Sequence, residues 1–221
     1  MIKAIVFDFD GLIVDTESAW FECYAEVLGG YDIPFPTEVF AACVGSHGGQ
    51  IEAYIRQMAE GRTEISEVRK AAAKLHAEKM KTVALRDGVA EYIEAAQRLG
   101  LKVGLASSSD RAWVESFLSR FGLLDSFEVI KTKDDVANVK PDPELYLKAI
   151  QALGIEAYEA LAFEDSANGA AAAKAAGLWC VIVPNPVTEQ LVFGSVDGRL
   201  RSMADRPLED VIGELQASPL P

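Results

Sequence analysis

Four short apolar runs, each preceded by a helical segment, leave this chain few architectures to fold into. They are Leu101–Ala106, Phe127–Ile130, Leu161–Phe163 and Trp179–Val183, and a fifth run, Ile2–Phe7, opens the sequence. Runs that are β-branched or otherwise apolar throughout, instead of alternating with polar residues, mark parallel strands buried on both faces. The helical segments between them supply the βαβ rhythm of a doubly wound parallel sheet, an α/β fold. Ser109 or Asp110 can cap a helix through Trp113, Phe117 and Phe121, and Gly122 supplies its stop. The alanine-rich segment Ala167–Ala176 predicts a helix lying close to the sheet, because small side chains permit a short approach.

The stretch from about Thr16 to Lys81 breaks this rhythm. It carries helical patterns over Ser18–Leu28, Thr37–Cys43, Gln50–Ala59 and Glu64–Lys81, separated by Pro34, Pro36 and the Gly45–Gly49 loop, and no convincing strand. A helical block that intrudes after the first strand and ends before the second reads as an insertion, with Thr82–Gly88 as the return hinge. At 221 residues and half hydrophobic, the chain can bury a full core without disulfides. Its three cysteines, Cys23, Cys43 and Cys180, form no C-x-x-C pair and are expected to be reduced and mostly buried. A formal charge of −13 argues against nucleic acid or an anionic membrane surface as partner. The opening apolar run is soon interrupted by Asp8, too early for a signal peptide or membrane span, so a cytoplasmic protein is expected.

Four motifs fall at or just after strand ends. Phe7-Asp8-Phe9-Asp10-Gly11 places two carboxylates two residues apart in extended chain, so that both can face one site before Gly11 turns the backbone. Such a pair can hold a hard cation through oxygen, and one carboxylate can attack phosphorus while the other moves protons. A D-x-D turn is by itself common, but the C-terminal end of a central strand is where open α/β sheets build their sites. Ala106-Ser107-Ser108-Ser109 offers a hydroxyl and helix-entering N–H groups, either a phosphate cradle or ordinary N-capping. In Val139-Lys140-Pro141-Asp142-Pro143, Pro141 keeps Lys140 out of the α region just before a helix, where an ammonium can neutralise a phosphoryl group. A surface lysine is the plainer reading of that motif alone. Phe163-Glu164-Asp165-Ser166-Ala167-Asn168-Gly169 brings a second acidic pair to the same edge, or an N-cap at Asp165 or Ser166.

Taken in order, Asp-x-Asp, Ser, Lys-Pro and Glu-Asp make a far more specific signal than any one of them. The chain resembles the haloacid dehalogenase superfamily, from Ile2 to about Val183, and within it the β-phosphoglucomutase-like branch, through Asp-Gly-Leu-Ile-Val-Asp-Thr-Glu and Glu-Asp-Ser-x-x-Gly. The resemblance implies a Rossmann-like core over residues 1–15 and 82–221 with a helical cap over 16–81. It also implies Mg²⁺ and an aspartyl-phosphate intermediate. Asp8 would be the nucleophile and Asp10 the general acid and base. Asp8, the Asp10 carbonyl and Asp165 would hold the metal, with Glu164 a direct or water-bridged helper. Ser107, Lys140 and backbone N–H groups near Phe9 and Ser108 would hold the phosphoryl oxygens. Zinc is not expected, since His47 and His76 are the only histidines and no Cys/His cluster exists.

The expected activity is hydrolysis of a small phosphorylated metabolite, a sugar phosphate for instance, by a monomer. The alternative is a β-phosphoglucomutase-like mutase, and the cap loop Val44-Gly45-Ser46-His47-Gly48-Gly49 argues against it, lacking the arginine that would grip a second phosphate. Glu17, Trp20, His47 and Arg56 are candidate substrate contacts in the cap, and Arg111 is one in the core. A phosphoacceptor signalling domain would share the aspartate, metal and lysine, but it places its acceptor after the third strand and has no helical insertion.

Overall fold

A computed structural model of the chain describes residues 1–41, 44, 49–59 and 61–217. Its centre is a six-stranded parallel sheet in the order β3-β2-β1-β4-β5-β6. The strands are β1 (Ala4–Phe7), β2 (Lys102–Ala106), β3 (Val129–Lys131), β4 (Ala160–Glu164), β5 (Trp179–Ile182) and β6 (Gly198–Arg199). The five expected strands are all present, with the third shifted toward Lys131. The two-residue β6 was not anticipated.

Residues alternate between the two faces along each strand, and each face has its own apolar cluster. Ile5 and Phe7 join Val103, Leu105, Leu161 and Phe163 on one face. That face is covered by α5 (Val89–Arg98), α6 (Arg111–Arg120) and α9 (Leu208–Ala217), through Ile93, Phe117 and Val211 among others. Ala4 and Val6 join Ala106, Ala160, Ala162 and Cys180 on the other face, under α7 (Glu144–Leu153) and α8 (Ala167–Ala175). The second cluster is largely alanine on both sides, which is how α8 comes to lie against the sheet. Helices on both faces of a parallel sheet make the doubly wound architecture.

The remaining helices, α1 (Thr16–Gly29), α2 (Thr37–Ala41), α3 (Gly49–Ala59) and α4 (Ile65–Met80), build a third cluster around Leu28, Phe35, Phe40, Ile55 and Val68. Val187, from the segment after β5, is buried with them and ties this layer to the sheet. The chain leaves and re-enters the sheet side by side. Val14 bridges Leu85, and the Arg86 N–H donates to the Ile13 carbonyl at 2.9 Å. The Arg86 guanidinium then donates to the carbonyls of Gly11, Val183 and Pro184. Cys23 and Cys180 are buried free thiols, as expected, and Cys43 lies outside the described residues. Among the described residues no helix is long and apolar enough to cross a membrane.

Candidate active site

Strands β2, β1 and β4 are neighbours and parallel, so their C-terminal ends deliver Ser107, Asp8 and the Glu164-Asp165 pair to one edge of the sheet. The ladder runs a residue past each strand end. The Asp8 N–H donates to the Phe163 carbonyl at 3.0 Å, and the Ser107 N–H to the Lys131 carbonyl at 2.9 Å. Phe7 is in register with Phe163, so Asp8 and Glu164 are adjacent on the same face of the sheet. Lys140 sits between them, its ammonium 2.5 Å from Asp8 Oδ1 and 2.6 Å from Glu164 Oε1. The Lys140–Pro141 peptide is cis. All three side chains are buried, so the lysine is not the surface residue its motif alone would suggest.

Glu164 is heavily engaged. Its Oε1 also accepts from the Tyr146 hydroxyl at 2.6 Å, and its Oε2 accepts from the Ser166 hydroxyl at 3.3 Å. The Tyr146 ring lies 5.0 Å from the Lys140 ammonium, adding a cation–π contact to the brace. Ser166, not Asp165, caps α8, which leaves Asp165 free to face the site. Asp165 Oδ2 accepts from Asn185 Nδ2 at 2.7 Å. Gly11 has φ +79°, and a Cβ there would stand 2.1 Å from Asp165 Oδ2, so glycine is required both by the turn and by this approach.

Asp10 is held on both oxygens. The Ser109 hydroxyl donates to Oδ2 at 2.5 Å and the Trp113 indole N–H to Oδ1 at 2.9 Å. Asp110 caps α6 and so orients Trp113 toward Asp10. Asn185, Trp113, Tyr146 and Arg86 carry no mark of a site-building role in the sequence, whereas Ser109 belongs to the serine motif read as a phosphate cradle or helix cap. A lone asparagine or arginine in a loop carries no spacing signal, and Trp113 reads from sequence as a core residue of its helix.

Negative charge is crowded here, and the proton affinities follow. Burial first, then the Glu164 carboxylate, push Asp8 up to about 7 against the pull of Lys140. Burial, then Asp8 and Glu164, hold Asp165 well above the usual carboxylate range. Burial also raises Asp10, with its Ser109 and Trp113 donors working the other way. Burial opposes the Lys140 ammonium, but Asp8 and Glu164 outweigh it and hold the lysine above its ordinary value. Asp8, Glu164 and Asp165 each bring a carboxylate oxygen within 4.8 Å of the others. A buried, all-oxygen, acidic donor set fits a hard divalent cation, and such an ion would relieve the repulsion that raises Asp8 and Asp165.

Above this cluster opens a cavity of about 560 Å³. Asp8, Asp10, Ser107, Ser108, Lys140 and Asp165 line its floor, and Thr16, Glu17, Trp20 and His76 of the helical layer line the opposite wall. Among the described lining residues Lys140 is the only lysine or arginine. Burial, then Asp10 and Asp8, push Glu17 up to about 8. The Phe9 ring is buried in the core against Phe117, so Phe9 can reach the site only through its backbone. Two expected contacts lie elsewhere. Arg56 lines a separate shallow depression with Glu52 and Gln57, and Arg111 is committed to Glu115 at 3.0 Å and Asp135 at 2.8 Å. His47 lies outside the described residues.

Comparison with known proteins agrees with this geometry. Residues 5–183 match the profile of the family described as haloacid dehalogenase-like hydrolase. A Bacillus subtilis (strain 168) protein that bears the provisional name phosphatase YhcW is 45% identical, over 98% of this chain and 99% of its own. Hexitol phosphatase B of Escherichia coli (strain K12) is 31% identical over 96% of this chain and 97% of its own. Among solved structures, CbbY from Rhodobacter sphaeroides in complex with phosphate superimposes with a TM-score of 0.72 at 31% identity, covering 93% of this chain and 96% of that one. The chain belongs to the haloacid dehalogenase-like hydrolase family.

Proposed function

We propose that this chain is a Mg²⁺-dependent phosphatase for small phosphate monoesters of the sugar-phosphate kind, working through an aspartyl phosphate on Asp8. The observation that carries the proposal is the convergence of Asp8, Asp10, Ser107, Lys140 and Asp165 on the floor of one cavity. The hexitol phosphatase relationship supports the substrate class. In this reading residues 1–15 and 82–221 are the catalytic core, and residues 16–81 are a cap that closes the cavity over a small phosphorylated metabolite. The protein acts as a cytoplasmic monomer.

Asp8 attacks phosphorus as the bond from phosphorus to the leaving alcohol breaks, and Asp10 gives that alcohol its proton. The raised proton affinity of Asp10 suits it to carry one. Asp10 then takes a proton from the water that attacks the phosphorus of the aspartyl phosphate, which frees inorganic phosphate and regenerates Asp8. Lys140 and the Ser107 hydroxyl, with backbone N–H groups near Phe9 and Ser108, neutralise and hold the phosphoryl oxygens. Asp8, Asp165 and the Asp10 carbonyl would hold Mg²⁺, whose charge would add to that stabilisation. Glu164, already bonded to Lys140 and Tyr146, acts mainly by fixing the lysine.

Hydrolysis is favoured over mutase chemistry because a mutase needs a cation for the distal phosphate, and the described cavity lining offers none beyond Lys140. The test is Asp8→Asn, purified and assayed with p-nitrophenyl phosphate and hexose monophosphates in Mg²⁺. The variant should fold normally and lose essentially all phosphate release, because an amide is a poor nucleophile toward phosphorus. Retention of wild-type turnover would refute the assignment.

A further inference from the structure

The aromatic wall of the cavity contains an unmade hydrogen bond. His76, on α4, is 4% exposed and is stacked face to face on Trp20 of α1, with ring centroids 3.8 Å apart and planes 9° from parallel. Trp113 of α6 lies beyond it at 6.0 Å and 27°. The imidazole therefore bridges the helical layer and the sheet domain, and it lines the same cavity as Asp8 and Asp10. Its Nε2 is buried and, among the described residues, has no hydrogen-bond partner. Ser108 Oγ, on the floor of the same cavity, is in the same condition. Buried polar atoms are nearly always paired, and leaving one unmade is costly, so a cavity bearing two of them is built for an occupant.

The chemistry of His76 narrows that occupant. Burial lowers its proton affinity to about 4, and a hydrogen bond with the Thr16 backbone does not restore it. At neutral pH the ring is therefore uncharged and one of its two nitrogens carries a lone pair, and Nε2, which has no partner among the described residues, can serve as that acceptor. It can receive a hydroxyl but has no attraction for a carboxylate or a second phosphate. The stacked rings fix its position and leave it little freedom to turn away.

We propose that His76 is a specificity-determining residue, whose Nε2 accepts a hydrogen bond from a hydroxyl on the alcohol part of the phosphate ester. The proposal rests on the phosphatase reading of the same cavity, and it adds what the cavity selects. The preferred ester carries a single phosphate and a neutral, hydroxyl-bearing leaving group. Trp20 and Trp113 serve by holding the imidazole in place.

The test compares two substrates in two variants. His76→Phe keeps a ring in the stack but has no lone pair, and His76→Gln restores an oxygen acceptor. Hexitol and hexose monophosphates are compared with p-nitrophenyl phosphate, whose leaving group offers no aliphatic hydroxyl, all in Mg²⁺. For His76→Phe, kcat/KM on the polyol phosphates should fall about tenfold further than on p-nitrophenyl phosphate, mainly through KM. His76→Gln should recover part of that difference. An equal loss on both substrates, or none on either, overturns the proposal. Wild-type protein that hydrolyses no phosphate ester overturns the phosphatase reading along with it. If His76→Phe does not fold, monodeoxy analogues of the best hexose phosphate are given to the wild type. One deoxygenation should cost about tenfold, and a series in which none costs more than about twofold overturns the assignment.

Discussion

Replacing Gly169 by alanine should damage both stability and catalysis, although in a helix the same change normally helps. Gly169 is the third residue of α8, and alanine there would gain about 1 kcal/mol from helix propensity alone. A Cβ at this position, however, would stand 2.0 Å from both carboxylate oxygens of Glu164 and 2.1 Å from its carboxyl carbon. Glu164 is completely buried and held by Lys140, Tyr146 and Ser166, so it cannot swing aside without breaking those bonds. Overpacking costs about 1–3 kcal/mol, and loosening a hydrogen bond to a charged group costs about 1.5–3 kcal/mol. After the propensity gain, a net loss of about 1.5–5 kcal/mol follows, a fall in Tm of roughly 3–20 °C for a chain of this size. Lys140 loses its brace in the same event, so phosphate release should drop with stability. Gly213 in α9 is the control, because a Cβ there meets no atom within 4 Å, and Gly213→Ala should raise Tm by about 2–4 °C. Thermal melts and p-nitrophenyl phosphate turnover of the two variants decide the matter. A Gly169→Ala protein that melts at or above the wild type with full turnover would refute the reasoning.

Trp113→Phe removes the indole N–H that holds Asp10 Oδ1, and it should lower kcat about tenfold with little change in KM. That donor pulls the Asp10 proton affinity down, so its loss raises it, and the alkaline limb of the kcat profile should move to higher pH. A fall in kcat with an unmoved profile would mean packing alone. Activity should vanish in EDTA and return with Mg²⁺, but poorly with Ca²⁺, whose larger and looser shell disturbs alignment. In metal-free protein Asp8 is raised to about 7 and Glu17 to about 8. The native state therefore binds more protons than the unfolded chain between about pH 4 and 8, and stability falls as pH rises through that window. Mg²⁺ should offset this, raising Tm more at pH 8 than at pH 5, and a pH-independent gain would count against the acidic cluster as the metal site.

The sequence made the sheet and the order of the motifs legible because both are local patterns. Each buried strand is a short apolar run, and each chemical motif follows directly on one. Strand β6 is not legible in the sequence because two residues, Gly198 and Arg199, hold no periodicity. Arg86 and Asn185 are not legible as site residues because their work is to join segments distant in the chain. Arg86 reaches 75 residues back to the Gly11 carbonyl, and Asn185 reaches 20 back to Asp165. Arg111 was a candidate because it follows the serine loop, yet local acidic neighbours, Glu115 and Asp135, neutralise it outside the cavity.

The division of labour between Glu164 and Asp165 shows how much further strand geometry reaches than motif content. Two consecutive acids after a strand look interchangeable in the sequence. Side chains alternate along a strand, so Glu164 shares the face of Ala160 and Ala162, where α7 and α8 pack and where Tyr146 and Gly169 are waiting. By the same alternation Asp8 shares the face of Ala4 and Val6, and register sets it beside Glu164. A lysine fixed between two buried carboxylates on adjacent strands is thus a consequence of parity and strand order together. Asp165, one residue later and past the end of β4, is released from that face and turns to the Gly11 side, where only a glycine leaves it room.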